Sequence, residues 1–554
     1  MIILGINGKL DGHDPSAALL REGQLLAAAE EERFYRIKHA PGRFPYHATA
    51  WCLTQAGISV DEIDAIVFGW EPTRQPDAPE PTDTDALRDL ILPPVLFPRT
   101  RSVPVHRVPH HLAHAAYAFY SSPFNEAAAL IVDGSGERES ISVFRCNTTG
   151  LELVWSLPFV NSPGFFYEAL TRFVGMTLFD EGKTMGLAAY GQERYTFPSL
   201  LEHPPLSPAA DPDAEHYRAI LKAWRQILEK HTNTSPNPRL PRFSMEEGRA
   251  DAKAVGYPQI YRDIALAGQR RLEEDLLTLA QRALHDTGYS NLVLAGGVAL
   301  NCVANGKLAQ TLGASIGFHV PPASGDAGIS LGAALYGARQ YGDQVRLTNA
   351  HVFSGPRFSQ EHIVNLLQAW GIRFEILEDP VPALVDELAH GKIVGFFQGP
   401  AEIGPRALGG RSLLADPSQP NMLTRVNQLK KREMWRPLAP SLPFDEVHAV
   451  FKHDVSSPFM LISYPVLDQA RNTIPAAVHV DNSTRPQIVT PDLHESFYRL
   501  VSGFAQCTGI PALLNTSFNV GEPMVLTPAQ AIRTFSTSPM DLLAIEGIML
   551  RKPQ

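Results

Sequence analysis

The feature of this sequence that most constrains its fold is a pattern of strands that occurs twice. Residues 2–29 contain an apolar strand, a polar Gly-rich loop and two further strands joined by a turn, and residues 127–157 repeat that order. The two copies begin about 125 residues apart. A repeat of this kind predicts two similar halves that face each other, with the first turn of each half pointing into a shared cleft.

The first turn of each copy carries acidic residues. The loop after the first strand contains His13 and Asp14, and the first strand of the second copy leads into Asp133 within the sequence DGSGE. Glycines in such a turn let backbone N–H groups approach an anion closely. Two halves with opposed turns describe the actin-like superfamily of ATPases and kinases, so the sequence predicts an α/β fold of that type for its N-terminal part.

Residue types that bind metal ions lie close to the second copy. The segment HHLAH places His110 and His114 four residues apart in helix-compatible sequence, which puts both imidazoles on one helical face. Asp133 follows about 20 residues later, and Asp326 stands in another Gly-rich turn, SGDAG. Histidines combined with carboxylates suit Fe, Mn or Zn. Two alternatives stay open: the histidines need not be ligands, and Asp326 also suits the organisation of Mg²⁺ and phosphate.

Two further segments have the pattern of a nucleotide contact. A strand at residues 291–295 runs into Gly297 and a helix that includes Asn301, and the N-terminus of a helix after glycines favours a negative charge. Lys183 is predicted to lie in a Gly-flanked loop with Glu181. In that loop it either meets phosphate or sugar, or it is simply solvated.

The chain divides into two predicted domains, because the helical pattern stops at a Gly- and Pro-punctuated linker near residues 341–355. We expect domains at residues 1–350 and 351–554. Residues 196–255 are rich in proline around one helix, and we interpret them as an insertion. Such a segment either overhangs the cleft and selects the substrate, or it is a surface excursion.

The C-terminal domain is rich in cations and short polar side chains. Guanidinium groups on a Gly-rich frame suit phosphate or carboxylate binding. A run of cations can also be a solvated face, but in an acidic protein an oxyanion pocket is the better interpretation. The residues concerned are Arg406, Arg411, Lys431, Arg436 and Arg485, with Asn515 and Ser517 as neutral donors.

Composition excludes several classes of protein. The net charge of −10 argues against binding of nucleic acid by bulk electrostatics. The four cysteines are scattered and form no CxxC pair, so neither a disulfide framework nor a zinc knuckle is expected. No apolar run reaches 18 residues and the N-terminus lacks the features of a signal peptide, so we expect a cytoplasmic protein without a membrane partner.

Many motifs occur in a fixed order along nearly the whole chain. They include GHDPSAAL, EEERFYRIKH, HHLAHAAYAFYSSPF, DGSGE, EGKTMGLAAYG, LAGGVALN, SGDAGISLGAALYG, EIGPRALGGRSLLADP, KKREMWRPLAP, HVDNSTRPQ and LLNTSFNVGEPMV. On these motifs the chain resembles the NodU/CmcH family of ATP-dependent O-carbamoyltransferases (EC 2.1.3 type). The resemblance implies an N-terminal actin-like domain of the duplicated RNase H-like (ASKHA) type, similar to the tRNA threonylcarbamoyladenosine transferase, and a C-terminal YrdC-like α/β domain.

The resemblance also implies the chemistry. Carbamoyl phosphate and ATP with Mg²⁺ form carbamoyl adenylate at the C-terminal cations, and the N-terminal domain transfers the carbamoyl group to a hydroxyl of an antibiotic, sugar or macrolide. The implied metal is Fe²⁺ or another divalent ion, held by His110, His114, Asp133 and Asp326. Lys183, Gly297 and Asn301 would contact the adenylate. A general base helps a hydroxyl to attack, and His13, beside Asp14, is the candidate because an unperturbed imidazole titrates near neutral pH.

Two alternatives belong to other classes. Threonylcarbamoyl transfer to tRNA keeps the chemistry but changes the acceptor, and both the acidic charge and the fused C-terminal domain argue against it. A non-catalytic nucleotide-binding protein of the actin-like fold would not need so many cations. The oligomeric state is left open, with a homodimer as one alternative.

Overall fold

A computed structural model describes residues 1–71, 81–209, 213–238 and 257–552 of the chain. These residues form two compact units. The first comprises residues 1–238 and 258–351 of the described chain, and the second comprises Tyr257 and the residues from Val352 onward. Strands and helices mix in both units, which confirms the predicted α/β class.

The first unit contains ten strands and ten α-helices within the described residues. In chain order they are β1 (Ile2–Asn7), β2 (Ser16–Arg21), β3 (Gln24–Glu30), α1 (Glu31–Tyr35), α2 (Tyr46–Ala56), β4 (Ala65–Phe68), α3 (Thr84–Ile91), β5 (Val105–Arg107), α4 (His110–Tyr120), β6 (Glu126–Val132), β7 (Glu139–Asn147), β8 (Gly150–Pro158), α5 (Pro163–Phe173), α6 (Glu181–Ala188), α7 (Ala214–Thr232), α8 (Gln259–Thr287), β9 (Asn291–Ala295), α9 (Cys302–Leu312), β10 (Gly317–His319) and α10 (Ile329–Gln340).

The ten strands form two sheets of the same topology. One sheet has the order β3-β2-β1-β4-β5 and the other, read in the same sense, has the order β8-β7-β6-β9-β10. In each sheet the first three strands are antiparallel, and the last two run parallel to the central first strand. The repeat predicted from the sequence is therefore present. Because β1 and β6 are equivalent strands, Asn7 at the end of β1 corresponds in position to Asp133, which follows β6.

Helices α4 and α10 lie between the two sheets. Helix α10 packs on β1, β2 and β4, α4 packs on β6 and β9, and the two helices pack on each other. Two glycines permit this close approach. A Cβ on Gly5 would lie 2.0 Å from the carbonyl oxygen of Ser330, and a Cβ on Gly332 would lie 1.9 Å from that of Ala113. The order sheet, helix, helix, sheet brings the carboxyl ends of β1 and β6 to the N-termini of both helices.

Two segments of this unit, one around Lys183 and one within residues 196–255, contain helices. The segment around Lys183 is helix α6 and not a loop, since Thr184, Gly186 and Leu187 are buried on one side of it. The helix predicted inside residues 196–255 is α7, although residues 210–212 and 239–256 of that segment lie outside the described residues.

The second unit contains the remaining elements, α11 (Gln360–Ala369), β11 (Glu375–Ile376), α12 (Val381–Ala389), β12 (Val394–Phe397), β13 (Arg411–Ala415), α13 (Met422–Leu429), β14 (Ala439–Pro443), α14 (Val447–Val450), β15 (Tyr464–Pro465), α15 (Asp468–Thr473), β16 (Ser483–Thr484), β17 (Gln487–Val489), α16 (Glu495–Thr508), β18 (Leu513–Ser517), α17 (Pro528–Ser536), β19 (Leu542–Ile545) and β20 (Ile548–Arg551). Eight strands form a mixed sheet in the order β11-β20-β19-β12-β13-β18-β14-β17, and β15 pairs with β16. Apolar clusters cover this sheet.

Two histidines of the first unit are buried in neutral surroundings. The ring of His351 is hydrogen-bonded to the hydroxyl of Tyr117, with 2.9 Å between Nε2 and the hydroxyl oxygen. Nε2 of His319 lies 3.3 Å from Oγ of Ser121. Burial lowers the pKa of His351 to about 4 and that of His319 to about 3. Both imidazoles are therefore uncharged in the folded protein at neutral pH.

Among the described helices, none combines the length and the apolar character that a membrane crossing requires.

We expect the substitution Gly332→Ala to destabilise the protein, because the added methyl group meets a backbone carbonyl that cannot move aside. One surplus methyl group in a packed interior costs roughly 1–3 kcal/mol. Gly150→Ala is the matched control, since its Cβ has nothing within 4 Å. Thermal unfolding of the two variants checks the prediction, and equal midpoints would contradict the close helix packing.

A second prediction concerns acid stability. An unfolded histidine binds a proton below about pH 6.5, whereas His319 and His351 do so only near pH 3 and 4 in the folded protein. Stability is therefore lost as the pH falls below 6.5, by up to about 1.4 kcal/mol per pH unit for each group. The double variant His319→Asn plus His351→Gln should show a smaller fall in thermal midpoint between pH 6.5 and 4.5 than the wild type. Parallel curves would refute this assignment.

Candidate metal centre and cation cluster

Four side chains converge where β1 and β6 end and where α4 and α10 begin. His110, His114, Asp133 and Asp326 each contribute one ligand atom, and these atoms all lie within 4.8 Å of one another. Nε2 of His114 lies 3.1 Å from Oδ2 of Asp133 and 3.7 Å from Oδ1 of Asp326. Nε2 of His110 lies 3.5 Å from each of the same two oxygens. The structure therefore brings together the four residues that were predicted as metal ligands.

The electrostatics of this cluster fit a cation. Burial lowers the pKa of His110, but the carboxylates of Asp326 and Asp133 outweigh it and raise the pKa to about 10. Burial raises the pKa of Asp133, and its contacts with His110 and His114 nevertheless hold it well below its usual range. The two carboxylates thus hold a proton on the buried imidazole of His110, and a divalent cation releases such a proton when it binds.

A polar atom without a partner supports the same interpretation. Nε2 of the fully buried His110 has no hydrogen-bond partner within the part of the chain that the structure describes. An unsatisfied buried polar atom costs free energy, which metal coordination would remove. Two imidazoles and two carboxylates are a donor set that suits Fe, Mn or Zn. The residues present therefore fit a divalent transition metal.

Surrounding groups fix the orientation of these side chains. Oδ1 of Asp133 accepts hydrogen bonds from the backbone N–H groups of Gly134 (2.7 Å) and Gly297 (3.0 Å), so Oδ2 faces the imidazoles. The ring of Trp70 stacks on His110 with 3.8 Å between centroids. The Trp70 indole N–H donates to Oδ1 of Asn7, whose amide nitrogen donates to the backbone carbonyl oxygen of Asp326.

Gly297 and Asn301 were predicted as adenylate contacts, and both make hydrogen bonds within the protein. The N–H of Gly297 is taken by Asp133. The side chain of Asn301 caps helix α9 by accepting from the N–H of Ala304, and its amide nitrogen donates to Gln269. Lys183 forms an ion pair with Asp180 at 2.8 Å in the first turn of α6. All three residues thus have partners within the protein, and their role as adenylate contacts stays a prediction.

His13 and Asp14 lie on the outer side of the metal cluster. Nδ1 of His13 is 2.9 Å from Oδ2 of Asp14 and 3.9 Å from Oδ2 of Asp326. Burial lowers the pKa of His13, but the hydrogen bond to Asp14 and the charges of Asp326 and Asp133 raise it to about 9. A cation bound at Asp326 and Asp133 would cancel much of that upward shift.

In the second unit, three arginines form a cluster of like charge. Burial lowers the pKa of Arg432 well below its usual range, and the charges of Arg436 and Arg485 lower it further. Among the described residues, neither Nη2 of Arg432 nor Nε of Arg485 has a hydrogen-bond partner. Arg436 has an ion pair with Glu433, at 3.6 Å. Like charges packed in this way destabilise one another until an anion binds between them.

Other predicted anion-binding residues of this unit are placed differently. Arg411 is completely buried, stacks on the ring of Phe397 at 3.5 Å, and donates to the carbonyl oxygens of Pro356, Gly399 and Gly410. The amide nitrogen of Asn515 donates to Ala407, Ser441 and Gln487. Both side chains thus donate hydrogen bonds to the loop before β13, and their binding of a ligand oxyanion stays a prediction.

The remaining candidates lie nearer the surface. Arg406 is half-buried, and Lys431 is exposed at a residue with a left-handed backbone, φ 49°. Oγ of Ser517 accepts from the ammonium group of Lys430 at 3.0 Å and donates to Asn519.

The sequence interpretation did not find several residues of these sites. Asn7 had a signal, because it stands at the repeat position that Asp133 occupies in the other half. Arg432 was visible only as one cation in a run. Trp70 has no local pattern that marks it, and His39, whose Nδ1 lies 2.9 Å from Oδ1 of Asp14, was visible only as the last residue of the motif EEERFYRIKH.

These features define a two-unit α/β protein with a candidate metal centre in its first unit and a cluster of three arginines in its second. The chain belongs to the carbamoyltransferase family: residues 2–78 and 96–335 match the carbamoyltransferase N-terminus, and residues 385–552 match the carbamoyltransferase C-terminus. The protein is therefore an enzyme of the carbamoyltransferase type.

Individual relatives agree with this assignment. The chain is 31% identical to the nodulation protein NolNO of Sinorhizobium fredii, over 100% of this chain and 83% of the relative. It is 30% identical to the 3'-hydroxymethylcephem-O-carbamoyltransferase of Streptomyces clavuligerus, over 74% of this chain and 73% of the relative. An uncharacterized protein of Synechocystis is 35% identical over 99% of this chain and 96% of its own length.

We expect the double variant His110→Ala plus His114→Ala to lose bound metal, since two of the four candidate ligands are removed. The loss of affinity should exceed the roughly 10–100-fold that removal of an outer-shell partner costs. The measurement is iron content after anaerobic reconstitution with Fe²⁺, and His285→Ala, at an 87% exposed side chain, is the control. Metal retention by the double variant at the wild-type level would show that the ion binds elsewhere.

Proposed function

We propose that the enzyme makes carbamoyl adenylate from ATP and carbamoyl phosphate in its second unit, and that its first unit transfers the carbamoyl group to a hydroxyl of a small-molecule natural product. The observation that carries this proposal is the convergence of His110, His114, Asp133 and Asp326 in one unit. The arginine cluster in the other unit supplies the complementary chemistry. The O-carbamoyltransferase among the relatives supports a hydroxyl as the acceptor.

We also propose finer fold assignments. The duplicated strand order of the first unit supports an actin-like fold of two RNase H-like halves. The second unit, with its mixed eight-stranded sheet, is proposed to be YrdC-like. The acceptor class of antibiotic, sugar or macrolide is carried by the family resemblance alone.

The second unit is suited to phosphate chemistry. Adenylate formation requires water to hydrolyse carbamoyl phosphate to carbamate and inorganic phosphate. A carbamate oxygen then bonds to the α-phosphorus of ATP bound with Mg²⁺, and the bond from that phosphorus to pyrophosphate breaks. Charge builds up on phosphoryl oxygens in both steps, and fixed cations stabilise it without reorganisation. The repulsion among Arg432, Arg436 and Arg485 supports this role, because a bound anion would relieve it. Arg406 and Lys431 stay candidates for the same role.

The first unit is suited to acyl transfer. The four ligand residues would hold a divalent metal, with Fe²⁺ the ion implied by the family, and the bound metal supplies Lewis acidity toward the carbamoyl carbonyl. His13 is proposed as the general base. Its Nδ1–H is directed at Asp14, so its Nε2 is the atom that takes the proton from the acceptor hydroxyl. The products are the carbamate ester and AMP.

The half-reactions should separate by mutation. With ATP and carbamoyl phosphate, the Arg432→Ala variant should form pyrophosphate roughly 100-fold more slowly than the wild type, the scale of losing one donor to a developing oxyanion. The variant His110→Ala plus His114→Ala should form pyrophosphate normally but fail to pass the carbamoyl group on. Arg471→Ala, at an arginine paired with Asp468 on the surface, is the matched control.

Two outcomes would contradict the proposal. Wild-type protein that releases no pyrophosphate would exclude adenylate formation. Equal loss of both half-reactions in the histidine variant would exclude the division of labour between the units.

A further inference from the structure

A carboxylate near the metal cluster is held between two imidazoles. Nδ1 of His13 lies 2.9 Å from Oδ2 of Asp14, and Nδ1 of His39 lies 2.9 Å from Oδ1 of the same residue. An ionised carboxylate only accepts hydrogen bonds, so both Nδ1 atoms carry hydrogen. This leaves both Nε2 atoms for other partners. Burial raises the pKa of Asp14, yet its hydrogen bonds with both histidines keep it below the usual range, so the carboxylate is charged.

Backbone hydrogen bonds tie the two loops that carry these residues. The N–H of Asp14 donates to the carbonyl oxygen of His39 at 2.7 Å, and the N–H of His39 donates to Oε2 of Glu32 at 2.8 Å. The imidazole of His39 therefore approaches Asp14 from a fixed direction. The side-chain hydrogen bond to Asp14 is the one contact among these that depends on the imidazole of His39.

The same residues have strained backbone. Asp14 has φ 52°, His39 has φ 62° and Phe179 has φ 69°, although none of them is glycine. Left-handed residues of this kind cost about 1–2 kcal/mol each and concentrate at functional sites. The ring of Phe179 stacks on that of His39 with 3.9 Å between centroids. It meets the ring of His13 in a T-shaped arrangement with 5.0 Å between centroids. Phe179 thus covers one face of His39 and holds it against Asp14.

We propose that His39 is a positioning residue of the acyl-transfer site, which acts through Asp14 to fix the ring orientation and tautomer of His13. The inference rests on the proposed carbamoyl transfer. In that step the acceptor O–H bond breaks and its proton goes to Nε2 of His13. The acceptor oxygen bonds to the carbamoyl carbon, and the bond from that carbon to the AMP phosphate oxygen breaks, with AMP leaving with the electron pair. An imidazole that rotated or changed tautomer would not present Nε2 to the hydroxyl.

A metal ion is the competing explanation, because Asp14, Glu32 and His39 also bring ligand atoms within 4.8 Å of one another. The hydrogen bonds already described engage Nδ1 of His39 and both oxygens of Asp14 without an ion. We therefore favour the positioning role and make metal binding an outcome of the test.

Two amide substitutions separate the roles. In His39→Asn the amide nitrogen takes the place of Nδ1 and can still donate to Asp14, and asparagine tolerates a left-handed backbone. In His39→Gln the amide nitrogen lies at the place of Nε2 and cannot. With full-length, iron-loaded protein and water as the acceptor, we expect single-turnover breakdown of carbamoyl adenylate to AMP to be close to wild type in His39→Asn. In His39→Gln its maximal rate should fall roughly 10–100-fold with unchanged dependence on adenylate concentration.

A spectroscopic measurement tests the contact itself. In metal-free, full-length protein labelled with ¹⁵N-histidine, the Nδ1–H resonance of His13 should be protected from exchange in the wild type and in His39→Asn, and lost in His39→Gln. His39→Asn protein that folds but is as slow as His39→Gln would overturn the inference. An unchanged resonance in His39→Gln would also overturn it. So would wild-type protein that binds two equivalents of Fe²⁺ when His39→Gln binds one. Wild-type protein that cannot form or use carbamoyl adenylate overturns the proposed function instead, and the resonance test still stands.

Discussion

The close packing of α4 against α10 is the contact on which the metal centre depends. Gly332 has no Cβ, so α10 can lie against the carbonyl oxygen of Ala113 in α4. Gly5 also has no Cβ, so β1 can lie against the carbonyl oxygen of Ser330 in α10. The two halves of the repeat therefore meet through two helices without a gap. Each half then contributes one end of a strand and one helix N-terminus to the same point. Larger residues at either glycine would separate His110 and His114 from Asp326, whatever the local sequence around each ligand.

The parts of this site that the sequence predicted are those that follow from local periodicity. Helical spacing places His110 and His114 on one face, and a carboxylate directly after a buried strand must stand at the end of its sheet. Neither inference needs knowledge of distant contacts. Trp70 and Phe179 could not be predicted in this way, because they act on residues about 40 and 140 positions away in the chain, His110 and His39. No pattern within either segment specifies that pairing.

For the arginines of the second unit, the sequence could not predict which groups surround each guanidinium. Arg411 has the glycines that indicate a ligand site, but those glycines also expose carbonyl oxygens that occupy its guanidinium group. Arg432 lies in a run of cations that resembles a solvated surface, yet burial lowers its pKa well below its usual range and two further arginines add to that effect. Sequence identifies the charge but not its partner. Only the geometry distinguishes Arg411, whose guanidinium group donates to carbonyl oxygens, from Arg432, whose Nη2 has no hydrogen-bond partner among the described residues.

The two candidate sites carry charges of opposite sign, carboxylates in the first unit and arginines in the second. In the first unit, two buried carboxylates hold a proton on the imidazole of His110, so the cluster is stabilised by added positive charge. In the second unit, guanidinium groups repel one another, so the cluster is stabilised by added negative charge. The four candidate metal ligands and the arginine cluster lie in different units of one chain, so added positive charge would stabilise one unit and added negative charge the other.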